Sequence, residues 1–245
     1  MIGEPLVVVA LVGVVFLAAA VQTLAGFAFA LIVMPLATML LGVRTAAPLV
    51  ALTALTLYLI NIVRYRESLN VREIWRLGIS AVAGVPVGVW GAASANEAAV
   101  KAVLGVLMIG YGLHGLLARG PKRRCSSHWA YLAGFVSGSL GGAYNTSGPP
   151  LAVYGTARQW PKNEFRAGLQ TLFFVSGALT VLGHALTGHF NGSVLWLYVW
   201  TVCGLVAGLA AGIRVDRQVD RTRFRFIVIT MILLLGLSLL LNLGR

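Results

Sequence analysis

The stretch Gly141-Gly142-Ala143-Tyr144-Asn145-Thr146-Ser147-Gly148-Pro149-Pro150 interrupts a chain that is otherwise almost continuously apolar. Proline removes a backbone donor and glycine weakens a helix. In hydrocarbon every freed N–H and C=O needs a new partner, so such a break survives only where it is packed in protein or lines a wet cavity. A broken helix at membrane depth is the sequence pointer to a transporter binding site. This one segment therefore predicts a discontinuous membrane helix rather than a plain span.

The surroundings fit that reading. Of the 245 residues 58% are hydrophobic and 11% are charged, against about 25% charged in a soluble domain. The composition predicts an all-α polytopic membrane protein. The N-terminus carries only Glu4 as an early charge and has no basic leader region, so it reads as a retained first span rather than a signal peptide. The net charge of +12 is assigned to basic loops that set membrane orientation. No aromatic-interleaved basic patch or nucleic-acid module accompanies it. Cys125 and Cys203 lack metal-ligand spacing and are expected to be reduced and structural. No metal and no cofactor is expected.

Working outward, apolar runs lie at about 6–24, 27–41, 46–63, 77–95, 98–118, 129–140, 148–157, 167–187, 193–213 and 226–243. A full span needs about 20 residues. The runs 27–41 and 148–157 are short, and each follows its predecessor across a glycine-bearing joint without a charged loop. Residues 6–41 and 129–157 are thus predicted to be helical hairpins with short or tilted second arms. Arg64, Arg66, Arg72 and Arg76 form one basic cluster. Arg119, Lys122, Arg123 and Arg124 form a second, and Arg158, Lys162 and Arg166 a third. Arg214, Arg217, Arg221, Arg223 and Arg225 form the fourth, so that four clusters hold 16 of the 19 basic residues. With the hairpins counted as above, all four face the cytoplasm and both termini are periplasmic.

An internal repeat accompanies this topology. Leu24-Ala25-Gly26-Phe27-Ala28-Phe29 aligns with Ser139-Leu140-Gly141-Gly142-Ala143-Tyr144, and Pro35-Leu36-Ala37 with Pro150-Leu151-Ala152, both at a spacing of 115. Asn70, Trp75, Val85 and Gly91 match Asn191, Trp196, Val206 and Gly212 at a spacing of 121. The expected organisation is a first repeat over 1–118, a basic cytoplasmic linker over 119–128 and a second repeat over 129–245. The two repeats are inverted, each a broken-helix hairpin plus three transmembrane helices, the plan of many secondary transporters.

The acidic residues, Glu4, Glu67, Glu73, Glu97, Glu164, Asp216 and Asp220, are all expected at the terminus or in loops. A cation site or carboxylate proton relay puts Asp or Glu at membrane depth. An anion site needs neither, because backbone amides at a half-helix N-terminus attract negative charge. Gly26, Gly141 and Gly142 allow close backbone approach, and Pro35, Pro149 and Pro150 fit the first turn of a restarted helix. Asn145, Thr146 and Ser147 add side-chain donors, Phe29 and Tyr144 occupy matching positions that could wall the pocket, and Gln170 is a further candidate. Glycines at such joints also serve helix packing. Arg166 is the leading candidate for steering anions, and His184 the candidate for proton coupling. Thr53, Thr56, Ser176 and Thr180 are expected to bond back to their own helices. Asn61 is read as interfacial, and Trp75, Trp90, Trp129, Trp160, Trp196 and Trp200 as interfacial anchors. No catalytic constellation is present, so the chain is not expected to be an enzyme.

At these breaks the sequence resembles the TauE/SafE family of sulfite exporters and 4-toluene sulfonate uptake permeases. Gln22 to Leu31 followed by Pro35-Leu36 is similar to that family's first glycine–aromatic motif. Gly141 to Leu151, continuing through Tyr154-Gly155-Thr156, Trp160-Pro161, Glu164-Phe165-Arg166-Ala167 and Leu169-Gln170, is similar to the second. The first motif here reads Ala25 and Phe27-Ala28-Phe29 where many members are richer in glycine. The resemblance implies a bacterial inner-membrane permease for small sulfur oxyanions or organosulfur anions. The expected function is a secondary transporter working by alternating access, with a channel-like anion pore or a non-transporting scaffold as alternatives. Its partners are a small anionic substrate and the bilayer, not nucleic acid, and a second copy of the chain is an admissible partner.

Overall fold

The computed structural model describes residues 5–92, 105–106, 108–110, 112–113, 116, 124–144, 147–218 and 220–241. Regular structure among them is helical throughout: α1 (Pro5–Ala25), α2 (Phe29–Leu41), α3 (Val43–Tyr65), α4 (Val71–Ala92), α5 (Trp129–Tyr144), α6 (Gly148–Ala157), α7 (Lys162–Leu186), α8 (Gly192–Asp216) and α9 (Arg221–Leu241). The described residues between 105 and 116 are also helical. Among the described residues, four helices, Pro5–Ala25, Arg44–Ser68, Lys162–Leu186 and Gly192–Asp216, are long and apolar enough to cross a membrane. The chain is a multi-pass membrane protein. The expected span over 98–118 lies largely outside the described residues, as does the first half of the 119–128 linker, residues 119–123.

Both expected interruptions exist, and both second arms are short: α2 has 13 residues and α6 has 10. Their positions correct two details. The first break falls at Gly26–Ala28, so Pro35 sits well inside α2 and not in its first turn. The second falls after Tyr144, one turn later than the aligned glycines, and Gly141 and Gly142 remain helical. The cause is local. Pro149 and Pro150 lie in the first turn of α6, where a missing N–H is harmless, and proline disfavours helix in the residue before it. They pin the break just upstream. In the first repeat the backbone turn itself sets it, with Gly26 at φ 86° and Ala28 at φ 99°. Ala28 pays a steric penalty there that glycine would not.

The helices group into two compact units, Met1–Arg66 with Gln170–Val219, and Glu67–Leu169 with Asp220–Arg245. Each unit combines segments from both halves of the sequence. In the first, α1 packs on α8, and α2 and α3 pack beside them. Its core runs through Leu11, Val15, Ala18, Phe29, Val33, Leu49, Leu57, Leu197 and Leu205. In the second, α4 packs on α5, α5 on α6, and α6 on α9.

Glycines make both principal helix pairs possible. Between apolar helices in lipid the attraction is van der Waals packing, which small residues strengthen by letting backbones approach. A Cβ at Gly208 of α8 would lie 2.1 Å from the carbonyl oxygen of Phe16, and one at Gly204 2.6 Å from that of Val12. In the other unit, a Cβ at Gly88 would lie 1.9 Å from the Ser139 oxygen, and one at Gly138 2.0 Å from that of Ala81. The repeat-matched asparagines also share one role. Asn191 Oδ1 accepts from the amide of Val194 at 2.9 Å and Asn70 Oδ1 from that of Glu73 at 3.4 Å, capping α8 and α4.

Several polar expectations hold. The hydroxyls of Thr53, Thr56, Ser176 and Thr180 donate to carbonyls of their own helices. Thr53 and Thr56 additionally pair with Thr201 and Tyr198 of α8. Trp75, Trp129, Trp196 and Trp200 are exposed. Asn61 is 1% exposed, so its side chain is packed against protein. Trp160 is half-buried, edge-on to Tyr154 at 5.5 Å and seated against Gly155 and Gly168, which leave room for its ring.

Candidate functional site

The first break is held by two buried glutamines. Gln22 in the last turns of α1 reaches across it: its Oε1 accepts from the amide of Phe29 at 2.9 Å, and its Nε2 donates to the carbonyl of Gly26 at 3.3 Å. Gln170 of α7 donates to that same carbonyl at 2.9 Å. Gln22, Gln170, Phe27 and Phe29 are each no more than 1% exposed. The first amide of α2 is thus capped by a side chain from seven residues upstream. The next amides of the turn, those of Ala30 and Leu31, have no acceptor within the helix by the geometry of any helix start. A positive dipole end therefore sits inside the protein, next to neutral amides. Thr23 takes no part, because its hydroxyl donates to the Ala19 carbonyl at 2.7 Å.

The second break is less fully described. Ser147 precedes α6 without capping it through its side chain. Its carbonyl accepts from Ser137 Oγ of α5 at 2.7 Å, which ties the break to the middle of the preceding arm. Gly141, Gly142 and Tyr144 are helical, with Tyr144 the last residue of α5. Asn145 and Thr146 lie outside the described residues. Of the expected site residues, the structure brings Gly26, Phe29 and Gln170 together with Gln22.

Arg166 is 1% exposed and its interactions are internal to the protein. His184 lies at the exposed end of α7, its Nδ1 3.0 Å from Nδ1 of His189.

The expectation that every carboxylate lies in a loop is corrected. Glu73 is in the first turn of α4, Glu164 in that of α7, and Asp216 closes α8. Glu73 is 5% exposed and accepts from both Tyr154 Oη and the Arg158 guanidinium, which also donates to the Cys125 carbonyl at 2.6 Å. Asp216 faces Arg64 at 3.9 Å. Glutamate at the third position after an asparagine cap is a capping-box spacing, so Asn70-x-x-Glu73 carried a signal for a helix start. Its arginine partner 85 residues away did not show in any local pattern.

The family model described as sulfite exporter TauE/SafE matches residues 11–239. The chain belongs to the TauE/SafE family. That family is one of membrane transporters for sulfite and related sulfur anions, not of enzymes. The match spans both helix breaks and all nine named helices in whole or part. No curated protein and no solved structure matches the chain.

Proposed function

We propose that this TauE/SafE protein is a secondary transporter of a small sulfur-containing anion, working by alternating access in the bacterial inner membrane. The observation that carries the reading is the buried start of α2, capped by Gln22 beside the Gly26 carbonyl that Gln170 holds, with no carboxylate among the hydrogen-bond partners of the described residues there. Amides so placed replace the hydration of an anion at no cost in buried charge. Asn145, Thr146 and Ser147 are the candidate donors of the second break in this reading. The inverted-repeat plan is supported by the shared capping role of Asn70 and Asn191 and by the parallel glycine packing of α8 on α1 and α4 on α5. Arg166 contributes positive potential, and His184 is the candidate for proton coupling.

Purified protein in liposomes is expected to take up labelled sulfite or a simple sulfonate with saturation, and faster when the lumen holds unlabelled substrate. Asn145→Ala and Ser147→Ala should lower uptake about ten-fold or more while leaving the melting temperature nearly unchanged, since each removes a hydrogen bond to a charged group. Flux that does not saturate would identify a pore. Absence of flux for every sulfur oxyanion tested would overturn the proposal.

A further inference from the structure

The two glutamines at the first break present four polar side-chain atoms, and three of them are satisfied. Gln22 uses both its oxygen and its nitrogen, on Phe29 and Gly26, and Gln170 uses its nitrogen on Gly26. Gln170 Oε1 is buried and has no hydrogen-bond partner among the described residues. Its orientation is fixed: rotating the amide would set its oxygen against the Gly26 carbonyl oxygen. That carbonyl already accepts two donors, which fill its two lone pairs. One acceptor therefore stands open beside the donor-rich start of a 13-residue helix. A buried acceptor without a partner is destabilising, and in native structures such a group calls for a specific explanation.

We infer that the site selects an oxyanion that carries its own hydrogen-bond donor, with the anionic oxygens on the amides at the start of α2 and the donor hydrogen on Gln170 Oε1. This rests on the transporter reading of the same site and adds to it a rule of selection. A monoprotonated oxyanion or a hydroxylated sulfonate satisfies both halves of the site. A dianion or plain alkyl sulfonate leaves Gln170 Oε1 unpaired. Sites built around a hydrogen bond reject analogues that cannot make it far more strongly than apolar pockets reject a change in size.

The test uses a matched pair, ethanesulfonate and 2-hydroxyethanesulfonate, titrated calorimetrically into the purified full-length protein. The hydroxylated ligand is expected to bind about ten-fold tighter. In Gln170→Met, which keeps length and removes the acceptor, the two affinities should converge to within about two-fold. Equal affinities in the unmodified protein overturn the donor rule and leave the transporter reading standing. Preference that persists unchanged in Gln170→Met overturns the assignment to Gln170. Binding of neither sulfonate overturns this inference, and the transporter reading falls with it only if sulfite also fails to bind. The comparison in unmodified protein decides the rule even if Gln170→Met fails to fold without its bond to Gly26.

Discussion

At the scale of single residues, the chain handles charge and polarity in two ways. Around Gly26 it uses neutral amides, which can hold an anion without a buried countercharge. Around Glu73 it uses an ion pair: the side chain is 7% exposed, and that of its partner Arg158 is 20% exposed. Removing one partner of such a pair leaves an uncompensated charge, while removing both is often nearly neutral. Because Arg158 keeps some water, Glu73→Gln is expected to cost about 2 kcal/mol rather than the larger loss of a fully buried pair. Thermal unfolding in detergent measures it. Arg158→Met added to Glu73→Gln should recover at least half of the loss, and strict additivity of the two substitutions would refute the pairing.

At the scale of elements, the helix pairs are decided by glycines and the breaks by prolines and backbone turns. A methyl group at Gly208 meets backbone at 2.1 Å, and one at Gly88 at 1.9 Å, so backbone must move in either case. Gly208→Ala and Gly88→Ala are each expected to destabilise by about 1–3 kcal/mol, the range of overpacked interiors. Gly13→Ala is the control. Nothing lies within 4 Å of a Cβ there, and alanine favours a helix over glycine by about 1 kcal/mol. It should leave the melting temperature unchanged or raise it. Comparable losses at all three positions would show that the contacts, and not helix propensity, had been misassigned. Breaking a helix at Gly26 and before Gly148 uses different means for a similar end, which is why the alignment of the two repeats placed the second break one turn too early.

At the scale of the whole molecule, topology follows from charge. With the basic clusters at Arg64–Arg76 and Arg214–Arg225 in the cytoplasm, both termini are predicted to be periplasmic. Single cysteines placed at Ser68 and Gln218, with Cys125 and Cys203 replaced by serine, should react with an impermeant maleimide only after the inner membrane is opened. A cysteine at Gly3 should react in intact spheroplasts. The reverse pattern would invert the proposed orientation, and labelling of Ser68 and Gln218 from opposite sides would remove the shared cytoplasmic face.

The sequence alone determined the class of protein, the two hairpins, the glycine and proline punctuation and the polar residues near the breaks. These are properties of composition and of contacts a few residues apart, so the order of residues is enough to reveal them. Tertiary structure decided what depends on partners far along the chain. It brought Gln170 to the carbonyl of Gly26 across 144 positions, and Arg158 to Glu73 across 85. It buried Asn61 against protein, which no local pattern in the sequence showed. It also sorted the helices into units that each draw on both halves of the chain. A helix face has no preferred neighbour until another helix offers the complementary surface, and in lipid, where hydrophobicity does not distinguish one apolar face from another, close packing and hydrogen bonds make that choice.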